Sequence, residues 1–123
     1  MATPAARLLV KVTAGAEAPE RCSQAFTVAA TAAASGVPVS LWLTGESAWL
    51  AVPGRAEAFD LPHAAPLADL LAAVLAAGTV TVCSQCAARR GLTADGLAPG
   101  VRIAGAASFV EEVMGEDVRT LVY

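Results

Sequence analysis

The chain holds a single lysine, a single histidine and a single tyrosine, and charged residues make up only 15% of it. Eight Lys and Arg stand against 11 Asp and Glu, a net charge of −3. A nucleic-acid binder neutralises phosphates with a basic face, so this shortage of positive charge excludes that class. The only basic cluster is Arg89-Arg90. Also missing is any run of about 18 apolar residues, so no membrane helix is expected. The apolar start Leu8–Val10 is short and Lys11 interrupts it, unlike a secretory signal; the expectation is a cytoplasmic chain. No G-x-x-x-x-G-K-[ST] motif and no G-x-S-x-G elbow occur, and the first strand is followed by Thr13-Ala14-Gly15-Ala16 rather than G-x-G-x-x-G. Phosphate-cradling and serine-hydrolase chemistries are therefore not indicated.

What the chain does have is apolar mass: 56% of 123 residues. That exceeds the ordinary ~45–50% of a soluble domain. An alanine-rich composition accounts for part of it. The crowding of Leu41, Trp42, Leu43, Trp49, Leu50 and Val52 into one stretch predicts a subunit interface there.

The pattern along the chain is alternating. Arg7–Thr13 reads as a buried strand, Glu17–Ser35 as a helix with acids at its start, and Val37–Leu43 as a second strand. Glu46–Val52 is either a helical turn or a loop, ended by Pro53-Gly54, and residues 55–66 read as irregular. Leu67–Ala77 is a helix between Pro66 and Gly78, Thr79–Val82 a β-branched strand and Ser84–Arg90 a helix stopped at Gly91. A loop over Thr93–Gly100 leads to a weak strand at Val101–Ile103. Ser108 is expected to cap a helix over Phe109–Met114 with Glu111 and Glu112 in its first turns, before a last strand at Val118–Val122. This order predicts one α/β domain over residues 1–123. It is a three-layer, mostly parallel five-stranded sheet with helices on both faces, in a flavodoxin-like or related doubly wound form.

The informative segment is TVTVCSQCAARRGL at 79–92. Cys83 follows directly on a strand, at the carboxyl edge where open parallel sheets place their chemistry. Cys86 lies one turn into the next helix. Unpaired amides at a helix start favour a thiolate, and can bring a thiol from ~8.5 to neutral or below. Arg89 and Arg90 add positive charge to the same short helix. Such a thiolate can attack a disulfide or accept sulfane sulfur as a persulfide, with Cys86 close enough to resolve it. The C-x-x-C spacing is also half of many zinc sites, and two inert, half-buried cysteines are the plainest alternative.

With these residues in view, the chain resembles the DsrE/DsrF/YchN-like family of sulfur-transfer proteins. The likeness rests on VCSQCAARRGL at 82–92, GVRIAG at 100–105, FVEEVM at 109–114 and DVRTLVY at 117–123, and the first β-α-β extends it over nearly the whole chain. In family members of the relay type the carrier cysteine stands eight residues before a glycine, the separation of Cys83 from Gly91. By that resemblance Cys83 is the carrier and Cys86 the second cysteine of the YchN-like C-x-x-C. The resemblance further implies a DsrE-like fold, a homo-oligomer (trimer or hexamer), and a protein sulfur donor or acceptor as partner. The stretch 40–63 is more aromatic than the family pattern, which implies a subfamily with its own partner or pocket.

Other residues leave alternatives open. Cys22 is either a small core residue or a neighbour of Cys83, and His63, between Pro62 and Pro66, is either a solvated loop residue or a ligand. Cys22, His63, Cys83 and Cys86 together have the identities of a Cys₃His zinc site, if the fold gathers them. Lys11 falls within the first strand, expected to be central. It either snorkels or pairs with Glu57, Asp60 or an acid of a neighbouring subunit. Trp42 and Trp49 read as core or interface anchors, and Glu46, at a strand end, as a candidate pocket residue or an ordinary first-turn acid. The leading expectation is sulfur-carrier or thiol-redox chemistry with no cofactor. The competing one is a non-enzymatic oligomeric module, with or without a Cys/His zinc site, that docks through Trp42–Val52.

Overall fold

A computed structural model describes residues 6–123, so the first five residues of the expected 1–123 domain lie outside it. Five strands form one sheet: β1 (Arg7–Val12), β2 (Val39–Leu43), β3 (Thr79–Cys83), β4 (Val101–Ala104) and β5 (Val118–Val122). The helices are α1 (Pro19–Ala34), α2 (Arg55–Ala58), α3 (Leu67–Ala77), α4 (Ser84–Arg89) and α5 (Ala106–Val113), with 3₁₀ segments over Gly45–Ala51 and Ala94–Gly96. The order is β4-β3-β2-β1-β5 and every pairing is parallel. The chain therefore steps outward from β1 through β2 and β3 to β4, then returns to place β5 on the far side of β1. That differs from the flavodoxin order 2-1-3-4-5. It also makes β2, not β1, the central strand.

Right-handed crossovers fix the layers. The three outward steps put α1, α3 and α4 on one face; the single return step puts α5 on the other. Strand alternation sorts the side chains accordingly. Val10, Val12, Leu41, Leu43, Val80 and Val82 point to the three-helix face and are fully or nearly fully buried. They meet Cys22, Ala25, Phe26, Ala29 and Ala30 of α1, spaced three and four apart, and Leu67, Leu71 and Val74 of α3. Pro19 opens α1, where a missing N–H costs nothing.

The opposite face carries a transverse row read directly from the register: Val122, Lys11, Trp42, Thr81 and Arg102. Only α5 covers it. One carboxylate joins the two. Glu112 accepts from Ser40 Oγ at 2.6 Å, from Trp42 Nε1 at 3.0 Å and from Arg102 at 2.8 Å. Arg102 Nε also donates to Thr81 Oγ1 at 2.6 Å. Phe109 meets Trp42 edge to face, with centroids 5.2 Å apart. Ser40, Trp42 and Thr81 are buried, so these bonds answer the desolvation of polar atoms in the middle of a sheet.

Several local expectations are corrected. Residues 55–58 form a single helical turn, entered from Gly54 in the left-handed region at φ 91°. The last helix starts three residues earlier than expected, after Gly105, with no side-chain cap from Ser108. Glu112 consequently sits in its last turn, where the dipole disfavours an acid, and its tertiary bonds hold it there. The stretch Leu41–Val52 does not form an outer surface. Leu41, Trp42, Leu43 and Leu50 are buried in the chain's own core, and Trp49 and Val52 are half-buried. The large exposed apolar side chains among the described residues lie on α5 and β5: Val110, Met114, Leu121 and Val122.

Candidate functional site

β3 ends at Cys83, and α4 begins one residue later with Cys83 as its N-cap. β3 is β-branched and buried at Val80–Val82, and the turn into Ser84 brings the chain out at the sheet's carboxyl edge. Strand alternation places Cys83 on the same face as Thr81, the face under α5. Cys83 is half-exposed and Cys86 is buried; both are free thiols.

The Cys83 thiol titrates below its ordinary value of 9.0. Partial burial opposes the anion. It is outweighed by the amides of Cys86 and Gln85, by the Cys86 thiol and by the charge on Lys11. Cys86 is held from behind, since the Gly45 amide donates to its Sγ at 3.2 Å. This contact depends on the turn after β2. Gly45 has φ 56°, and a Cβ there would sit 2.7 Å from the Thr13 carbonyl oxygen. Only glycine occupies that position without strain.

The two arginines part company. Arg90 folds back, donating to the Cys86 carbonyl at 3.1 Å and pairing with Glu46 at 3.2 Å, which ties α4 to the 3₁₀ segment after β2. Arg89 is exposed. Glu46 lines a cavity of about 190 Å³ with Glu17, Trp49, Arg55 and Phe59, and Arg55 lies over the Trp49 ring at 4.7 Å.

The proposed zinc set is not brought together. Cys22 is buried on α1 in the core of the opposite face, and burial with Glu17 nearby pushes its thiol up to about 12. His63 is exposed in the loop before α3, with φ 62°. Among the described residues no three His, Cys, Asp or Glu side chains converge on a metal-sized site. His63 instead borders a groove of about 530 Å³ between α1 and Tyr123.

Lys11 neither pairs with Glu57 nor with Asp60, both exposed elsewhere; its ammonium lies 5.1 Å from the centre of the Phe109 ring. Sequence reasoning singled out Cys83, Cys86, Arg89 and Arg90. It missed Glu112 and Arg102, whose roles depend on pairings across the sheet that no local pattern carries.

No helix of the described residues is long and apolar enough to cross a membrane. No curated protein matches the sequence. Solved structures with the same fold include the YchN protein from E. coli, with a TM-score of 0.79 at 15% identity over 96% of this chain and 99% of that one. A protein of unknown function from Methanobacterium thermoautotrophicum superposes with a TM-score of 0.72 at 10% identity, again over 96% and 99% of the two chains. The profile of the DsrE/DsrF-like family, a family associated with sulfur relay, matches residues 6–119, and with the five-stranded parallel sheet described above it shows that the chain belongs to that family.

Proposed function

We propose that this protein is a cytosolic sulfur carrier whose working group is the Cys83 thiolate. One observation carries the reading: a half-exposed thiol stands at the β3–α4 junction, where two backbone amides and the adjacent Cys86 thiol favour its anion and shift it below its ordinary value. In the step this supports, Cys83 Sγ attacks the sulfane sulfur of a donor. A new S–S bond forms and the donor's S–S bond breaks. Its electron pair leaves with the donor's remaining sulfur, and Cys83 is left as a persulfide anion. Attack by an acceptor thiolate on the outer sulfur reverses the process. Cys86, buried beside Cys83, is the proposed resolving group: its thiolate attacks the inner sulfur of the Cys83 persulfide, the Cys83–Cys86 disulfide forms, and the outer sulfur leaves as hydrosulfide. Arg90 holds the turn that presents it.

The test is mass spectrometry after exposure to a sulfane-sulfur donor. One sulfur atom gained on the Cys83 peptide, and none in Cys83→Ser, is the expected result. An unmodified Cys83 peptide would overturn the proposal.

The exposed apolar side chains favour an oligomer in addition. Val110, Met114, Leu121 and Val122 lie on the edge strand β5 and its neighbour α5, and a second copy of the chain is the proposed cover.

A further inference from the structure

Lys11 is the only lysine of the chain, and it is unusually placed. It projects from a strand inside the sheet onto the face that also carries Cys83. Strand spacing of ~4.8 Å and a rise of ~3.3 Å per residue put the two Cα atoms roughly 12 Å apart, two strands across and two residues along. A lysine side chain closes much of that gap. Its ammonium rests over Phe109 at 5.1 Å, and it forms no ion pair with any described carboxylate.

The other charged groups around the cysteine are accounted for. Glu46 and Arg90 neutralise each other at 3.2 Å, and Arg102 and Glu112 do so at 2.8 Å. Arg89 on α4 is turned to solvent, Glu111 on α5 is exposed, and Cys86 is the remaining titratable neighbour. Arg7 shares the face but lies at the opposite end of β1, four residues away from Lys11, so among the described residues the unpaired inward cation nearest Cys83 on this face is Lys11. A half-buried cation that gives up a carboxylate partner for an aromatic ring carries a cost, and an anion on the same face offsets it.

We propose that Lys11 is the electrostatic positioning residue of the Cys83 site, and that it selects sulfur donors bearing negative charge beside the sulfur they transfer. The inference rests on the reading of Cys83 as the reacting thiolate and names the substrate class of that site. Lys11 holds the reactant thiolate, attracts an anionic donor such as a polysulfide or thiosulfonate, and then balances the product persulfide. Its lowering effect on the Cys83 thiol is consistent with that role.

The test uses two alkylating probes of the same reach, neutral iodoacetamide and anionic iodoacetate, with the rate at Cys83 followed by peptide mass spectrometry. Lys11→Met keeps the apolar stem over Phe109. It is expected to lower the iodoacetate-to-iodoacetamide rate ratio about fivefold at low salt, the scale of one cation acting at this range near a surface. It also moves the pH midpoint of alkylation upward. Lys11→Arg restores both. In the native chain the ratio falls as salt is raised to about 1 M, where the screening length shrinks to ~3 Å. That measurement stands even if Lys11→Met fails to fold. A ratio unmoved by Lys11→Met, or in the native chain by salt, overturns the inference. Failure of the carrier reading is separable, because alkylation requires no sulfur transfer: a Cys83 that never gains sulfur but keeps its Lys11-dependent preference sinks the carrier reading alone.

Discussion

Replacing Glu112 by alanine is expected to cost this protein more than any other single change to its charged residues. Glu112 is half-buried and accepts from Ser40, Trp42 and Arg102. Ser40 and Trp42 are themselves buried, with exposures of 0% and 1%. Each would lose its acceptor with no water to replace it, at about 1–3 kcal/mol apiece. Arg102 has a side chain 47% exposed, so water recovers most of its loss and it adds no more than about 1 kcal/mol. The expected cost is about 2–7 kcal/mol, against a total of about 5–15 kcal/mol for an ordinary domain. For a chain of this length that lowers Tm by about 8–28 °C. Glu112→Gln keeps the shape and one acceptor oxygen, so its cost is about half as large. Urea titration followed by tryptophan fluorescence measures both, because Trp42 itself reports the site. In the double variant Ser40→Ala, Glu112→Ala the cost is less than additive, since the hydroxyl left unpaired has been removed. Stability within about 0.5 kcal/mol of the native chain for Glu112→Ala would refute the reasoning, showing that α5 is held by apolar packing alone.

Cys22, pushed up from 9.0 to about 12 by burial and Glu17, makes stability pH-dependent on the alkaline side. The folded state favours the protonated thiol, so its contribution is complete below pH 9 and is lost as pH climbs from there through about 12. Cys22→Ala should flatten that slope in alkaline denaturation curves; an unchanged slope would count against the assignment. Gly45→Ala forces a Cβ against the Thr13 carbonyl at φ 56°, and should cost about 1–3 kcal/mol while freeing the Cys86 thiol for alkylation. Native-like protection of Cys86 in that variant would contradict the link between the β2 turn and α4. Met114→Glu, on a residue 77% exposed, should reduce the assembled mass in sedimentation without lowering monomer stability; a native chain already monomeric at high concentration would remove the proposed second copy.

The alternating periodicities determined most of the architecture before any coordinates. Leu67–Ala77 is a helix from end to end because leucine and alanine leave it no competing conformation, and Thr79–Val82 is a strand because β-branching and length exclude a helix. Cys83 was legible for the same reason: a C-x-x-C at a strand-helix junction follows from local order alone. What the chain could not announce was which strand neighbours which. Strand order depends on crossover handedness and on one return step, so β1 lost its expected central place to β2, and a doubly wound form other than the flavodoxin order emerged.

The same physics decided the site's surroundings. Trp42 read as either a core or an interface anchor because hydrophobicity does not say which apolar face finds a partner within the chain; the partner proved to be α5. Cys22 and His63 share ligand chemistry with Cys83, yet the turn of α1 buries Cys22 in the core of the three-helix face, and His63 stands exposed in the loop before α3. Glu112, an ordinary helix acid in sequence, became a hub only once parallel pairing aligned Ser40, Trp42 and Arg102 beneath it. The sequence thus carried the reactive thiol and the local elements around it, because those depend on neighbours within a few residues. The Lys11 charge that reaches the thiol comes from β1, and the Glu112 hub beside it joins residues 70 positions apart; only the folded sheet supplies either.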